Sequence, residues 1–416
     1  MAHLLRRTGF GPTPAELDAA TAAGYDATVD RLLDFTAPDP ADATPPPSLH
    51  APTARRNLTV AQRKALRQAE ATQLRALQLW WLGRMASTAH PLREKLTLFW
   101  HGHFATSFDK VRSADLMYRQ NQLFRTMGSA GFEALTQAVA KDPAMMVWLD
   151  TRTDKAARPN ENFARELMEL FTLGIGNYSE TDVREAARAF TGWVIDPLHL
   201  SWALQPRQHD SGPKTFLGQT GNWGGEDIVH LVVNAPAGEA FIVARLWSHF
   251  AYPVAPTDPV VRDLLPGYAK DHDITALLRA VLHHPGFTSA TARTGLVKQP
   301  IEWVVGAIRA LSLTGPPGAL VGALTELGQT PFRPPNVGGW PQNTYWLNTA
   351  TSLARLNIAA ALAGRADLTP FTDPTAAARL LSVTWSDTTA RALAAVGADR
   401  KMMVTLALSA PEYVLA

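Results

Sequence analysis

Histidine is the side chain that changes charge near neutral pH and the commonest neutral metal ligand. The pair His101 and His103 in FWHGHF is therefore the first place to look for chemistry. On a strand, alternate residues share a face and both rings would suit one ion; on a helix they stand about 200° apart and cannot share it unaided. The surrounding pattern is helical. His103 falls with Leu96, Phe99 and Trp100 on an apolar stripe, and His101 points elsewhere. One reading buries His103 against a hydrogen-bond acceptor and leaves His101 near a helix C-terminus, where a cation is favoured. The other gives at least one ring a ligand or acid–base role.

Carboxylates come next. NENFARELMELF places Glu161, Arg165 and Glu169 one turn apart on a helix face, with Glu166 beside them and Phe163, Leu167, Leu170 and Phe171 opposite. Carboxylates projecting into a helical core beside histidines build the metal sites of helix bundles. On that reading His101, His103, Glu161 and Glu166 ligate a divalent metal, and His103 and Glu169 are catalytic. The spacing is not the Glu-x-x-His of such sites. The alternatives are a solvated face of i,i+4 pairs worth about 0.2–0.5 kcal/mol each, or a helix capped by Asn160 with Glu161 at its positive end. In the following helix Arg184, Glu185 and Arg188 suit Arg–Glu pairing between the two helices.

Two loops add candidates. HDSGPK brings His209, Asp210 and Lys214 into one turn, three titratable types of the kind that form acid–base or phosphate sites. PFRPPNVGGWPQNTYWLN gathers Arg333, Asn336, Trp340, Tyr345 and Trp346 around the pair Gly338-Gly339. It reads either as an aromatic, amide-rich rim for a glycan or another planar ligand, or as a loop whose tryptophans plug the core.

These residues need helices to position them. With 46% hydrophobic and 18% charged residues, the 416-residue chain can bury a sizeable core, and global disorder is excluded. The strand–helix alternation of a parallel sheet is absent, so the fold class is mainly α: a bundle-like array of many helices. A Pro-free periodic stretch covers about 58–87. Further helices are expected near 113–127, 131–141, 160–173, 179–193, 225–234, 237–250, 258–269, 273–284 and 297–313. Thr13 before Pro14 reads as a cap. The expected division is 1–193, with a Pro-rich linker at 35–52; a hairpin-like or irregular insertion at 194–222; and 223–416, with a Trp/Gly-rich loop at 328–348.

The 39 Lys and Arg nearly cancel the 37 Asp and Glu, so bulk charge gives no strong nucleic-acid signal. No apolar run reaches about 18 residues, the length a transmembrane helix needs. Without cysteine, disulfides, thiolate catalysis and Cys-bound metal are excluded. One asymmetry stands out: from Ala43 to Arg93, Arg55, Arg56, Arg63, Lys64, Arg67, Arg75, Arg84 and Arg93 face Glu70 alone. Such a segment meets an external anion or is answered by acidic helices of the same fold; the near-neutral total favours the second.

The segments HLLRRTGFGPTPAEL (3–17), REKLTLFWHGHFATS (93–107), NENFARELMELFTLGIGNYSETDVREAARAFTGW (160–193) and PFRPPNVGGWPQNTYWLN (331–348), with HDSGPKTFLG and VKQPIEWVVGAIRAL, resemble the bacterial domain-of-unknown-function family 1800. The resemblance runs nearly the whole chain and carries no agreed activity. Many members have a leader before the HLLRR motif, and this chain begins almost at it. The expectation is a cytoplasmic protein as the chain stands, or an exported one if a leader has been trimmed. The first functional reading is an enzyme with a His/Glu/Asp polar site taking a divalent metal. The rivals are a non-catalytic binding protein for a glycan or another anionic ligand, and a scaffold bound to a protein partner.

Overall fold

The computed structural model describes residues 1–50, 58–315 and 318–416. It is 62% helical, so the chain is mainly α. The expected spans appear as Ala114–Met127, Phe132–Ala140, Glu180–Phe190, Gly225–Val233, Pro236–Phe250, Pro259–Tyr268, Ile274–His283 and Pro300–Ala310. Caps set several starts. Thr13 accepts from the Glu16 amide while Glu16 reaches back to the Thr13 amide, closing a capping box ahead of Pro14–Ala23. The stretch 160–173 departs from a plain helix: Glu161–Glu166 is α-helical, and Leu167–Thr172 winds into a π-helical turn.

The insertion forms two hairpins. Strand β1 (Trp193–Asp196) pairs antiparallel with β2 (Ser201–Leu204), and β3 (Lys214–Phe216) with β4 (Gln219–Gly221). Leu217 and Gly218 both take positive φ, +46° and +76°, the two-residue turn whose twist matches paired strands. Leucine disfavours that conformation; its amide donates to Asp182 Oδ1 at 2.7 Å, which ties the turn to the neighbouring helix.

No single helix among the described residues is long and apolar enough to cross a membrane. Buried apolar side chains form two clusters, one centred on Trp100, Phe104 and Trp247, the other on Trp81, Trp303 and Leu408.

A buried carboxylate joins the elements around the second cluster. Glu94, on the helix Pro91–His103, is fully buried. It accepts from Trp81 Nε1 at 2.9 Å, from Arg84 Nε at 2.6 Å, and from Arg125 Nε and Nη2 at 2.6 and 2.9 Å. Arg84 and Trp81 sit on the long helix Val60–Ser87, and Arg125 on Ala114–Met127. Burial alone would raise the Glu94 carboxyl; Arg125 and Arg84 outweigh it and hold it down to about 2.

The Pro-rich stretch 35–52 is held rather than free where it is described. Asp39 and Asp42 face Arg84, and Arg93 donates to the carbonyls of Phe35 and Ala37; residues 51 and 52 lie outside the described part. The basic segment divides accordingly. Arg84 meets internal carboxylates, as expected. Arg63, Lys64 and Arg67 do not: residues 60–69 are exposed apart from half-buried Leu66, and none of the three cations pairs with a described residue. That part of the helix has little tertiary cover among the described residues. Arg55 and Arg56 lie outside the described residues.

The loop 328–348 docks on the histidine-bearing helix. Gly339, at φ +87°, lies so close that a Cβ would fall 2.1 Å from the Gly102 carbonyl oxygen, so only glycine fits there. Gln78 donates to the Pro331 carbonyl at 2.9 Å and fixes the start of the loop.

Removing the central carboxylate strands two buried guanidiniums. Glu94→Ala is expected to cost about 3–5 kcal/mol in urea unfolding at pH 7. Because the folded carboxyl is depressed, its contribution is complete above about 4.5 and is lost as pH falls toward about 2. A cost below about 1 kcal/mol would show that the network carries no stability.

Candidate anion-binding pocket

The sequence-derived donors do not converge on one ion. Among the described residues no group of three or more His, Asp or Glu side chains is placed to hold a metal. The helical HxH spacing sends the two rings apart. His103 Nε2 donates to the Phe171 carbonyl at 2.9 Å, within a shell of Phe99, Trp100, Phe104 and Phe132. His101 Nε2 instead accepts from the Asn121 amide at 3.0 Å, its ring between Trp81, Phe124 and Phe332. Burial, with Arg125, pulls the His101 ring down to about 3, and burial, with Arg245, pulls His103 well below its usual value.

The carboxylates lie on a half-buried face and pair elsewhere. Arg165 bonds Glu161 at 3.2 Å and, across to the next helix, Glu180 at 2.8 Å. Glu169 accepts from Tyr178 Oη at 2.7 Å. Burial and the neighbouring Glu169 charge raise the Glu166 carboxyl. The ligand set His101, His103, Glu161 and Glu166 is thus not assembled.

The HDSGPK turn is bolted down by its own polar groups. His209 Nδ1 donates to the Thr191 carbonyl at 2.8 Å. Asp210 accepts from Arg188 Nε at 2.7 Å and from the Gly212 amide at 2.9 Å. Lys214 Nζ donates to the carbonyls of Asp210 and Gly212 at 2.7 and 3.0 Å. The aromatic rim does not form either. Trp340 and Trp346 are buried, Arg333 pairs with Asp109 at 2.8 Å, and Asn336 accepts from the Gly338 amide at 2.9 Å. The apolar rings are taken up by the core.

A different set of residues converges on a cavity of about 530 Å³. Arg7 comes from the helix Ala2–Arg7, Lys95 from Pro91–His103, Arg245 and His249 from Pro236–Phe250, and Glu302 from Pro300–Ala310. Lys95 Nζ pairs with Glu302 Oε1 at 2.6 Å. Arg7 is 1% exposed and donates Nη2 to the Ala292 carbonyl, while its Nε and Nη1 are buried without partners. Arg245 makes no ion pair or hydrogen bond to a described residue, and its Nε is buried. Asn343, at φ +53°, accepts from the Val297 amide at 2.9 Å and donates to the Gly295 carbonyl at 3.1 Å, fixing one wall.

Burial acts on every cation in the pocket. Burial brings Arg7 down to about 9 although Glu302 opposes it. Burial also lowers Lys95 and Arg245. His249 falls well below its usual value through burial, Lys95, Arg245 and Arg7. Lys298, buried behind the wall with its Nζ 3.6 Å from the Tyr413 ring centre, is lowered by burial and by Arg6.

A family model described as protein of unknown function (DUF1800) matches residues 3–415. The chain belongs to that family. No curated protein and no solved structure gives a significant match.

Four of the sequence segments that resemble DUF1800 contribute to this pocket, while Arg245 and His249 come from outside them. His3–Leu17 supplies Arg7, Arg93–Ser107 supplies Lys95, Val297–Leu311 supplies Gln299 and Glu302, and Pro331–Asn348 supplies Gln342 and Asn343. Reading for histidine and carboxylate clusters passed over them. A signal was present in the spacing: Lys95, Phe99 and His103 recur every four residues, which puts a lysine on the apolar face of its helix.

The two core rings of this DUF1800 protein are expected to stay neutral from pH 8 to 5. Ring ¹⁵N shifts should show His101 and His103 without a protonation midpoint in that range. The unfolded rings take up protons near 6.5, so the stability linked to them is present above that pH and is lost as pH falls below it. A midpoint near 6.5 for either ring would contradict its burial.

Proposed function

We propose that this protein binds a small anion in the pocket between Arg7, Lys95 and Arg245. The observation that carries the reading is Arg245, a half-buried guanidinium without an ion pair or hydrogen bond among the described residues, beside an Arg7 with two unpartnered nitrogens. Removing charge from water is costly unless it is paired. A bound oxyanion supplies the missing partner, and arginine's planar fork suits it. This favours the anion-binding alternative over a metal-dependent enzyme, because the donors that a metal needs are dispersed and the polar groups of the HDSGPK turn are already engaged.

Isothermal titration with inorganic phosphate and sulfate, at fixed ionic strength, tests the reading. Binding is expected, together with a rise in Tm, since a ligand held only by the folded state stabilises it. Arg245→Gln should weaken binding about tenfold or more while the ligand-free protein keeps its Tm, because the substitution removes an unpaired charge. Absence of both heat and Tm shift for the wild-type protein would overturn the proposal.

A further inference from the structure

We infer that the occupant is an organic phosphate monoester, its dianionic head between Arg7 and Arg245 and an apolar body along Phe241, Val254, Pro256 and Leu296; this rests on the anion-binding reading above.

Two features of the pocket select this class. The first is charge. Three lining cations, Arg7, Lys95 and Arg245, face one lining acidic side chain, Glu302, and the 2.6 Å contact to Lys95 occupies that carboxylate. Two guanidiniums remain. A carboxylate ligand leaves one of them uncompensated, whereas a phosphate monoester carries about −1.5 to −2 at pH 7 and offers three acceptor oxygens. Arg6, close enough to Arg7 to act on its protonation, adds to the positive field and to the preference for a doubly charged head.

The second feature is size and polarity. About 530 Å³ lies in the range of roughly 300–1,000 Å³ typical of pockets for organic ligands. An inorganic oxyanion would fill only part of that volume. The lining also carries a set of apolar side chains, Phe241, Val254, Pro256 and Leu296 among them, beside uncharged polar ones such as Ser248, Gln299 and Thr344. Water against the apolar side chains gains no hydrogen bond from them, so an apolar body that displaces it there gains affinity. The reading involves recognition alone and assigns no bond-breaking step.

Three probes separate head from body: phenyl phosphate, benzoate and inorganic phosphate, titrated calorimetrically at constant ionic strength. Phenyl phosphate is expected to bind at least tenfold tighter than either of the others. Its affinity should rise as pH increases from 5 to 7.5, through the second ionisation near 6, while that of benzoate should not. The double substitution Val254→Asn with Leu296→Asn should erase the advantage of phenyl phosphate and leave inorganic phosphate within about twofold. Should that variant fail to fold, the wild-type ranking of the three probes decides. Equal binding of phenyl and inorganic phosphate, or of phenyl phosphate and benzoate, overturns the ligand class and leaves the anion site standing. No binding by any probe overturns both.

Discussion

A carboxylate buried between two guanidiniums is affordable only when its geometry is complete, and Glu94 meets that condition. It accepts four hydrogen bonds, from three side chains on two neighbouring helices. The next residue in the same helix is Lys95, whose ammonium reaches the pocket, and eight residues further on is His103. The Glu94 network therefore fixes the rotation and depth of the helix from which Lys95 projects. The contact of Gly339 with the Gly102 carbonyl fixes the other end. A helix anchored at both ends has little freedom to turn the lysine away from Glu302.

The two charged interiors differ in their bookkeeping. Around Glu94 each cation has an anionic partner in reach: Arg84 also meets Asp42 at 2.5 Å, and Arg125 closes the opposite side. Around Arg245 no such partner exists among the described residues. A fold that satisfies one buried cation cluster and leaves the other short is spending stability at a specific place. That pattern is typical of binding sites, where preorganised charge awaits a ligand. The π-helical turn at Leu167–Thr172 fits the same economy: it brings the Phe171 carbonyl to His103.

Most of the secondary structure was legible because amphipathic period and capping residues are local properties. Thr13 with Pro14 marked a helix start, and the texture change near Val194 marked the hairpins. The π-helical turn was not legible, since it depends on what packs across from Leu167–Thr172. The site was legible only in part, through the family segments that carry Arg7, Lys95 and Glu302 but not Arg245. His101 and His103 attracted attention by type, yet tertiary packing of aromatic rings decides their surroundings. Arg7 and Arg245 were not singled out, because the sequence does not show which opposing surfaces lack acids. Trp340 and Trp346 stayed open between rim and plug for the same reason: a loop tryptophan is one or the other according to what lies beneath it.

The basic start of the long helix carries a different implication. Among the described residues, 60–69 have almost no tertiary cover, and that stretch draws on its own backbone bonds and the Thr59–Gln62 capping box. An unsupported helix of this length is marginal in water. Its amides should exchange with deuterium far sooner than those around Trp81, although both belong to one continuous helix. The helix is thus one object geometrically and two thermodynamically, with local opening of the outer turns running independently of the core.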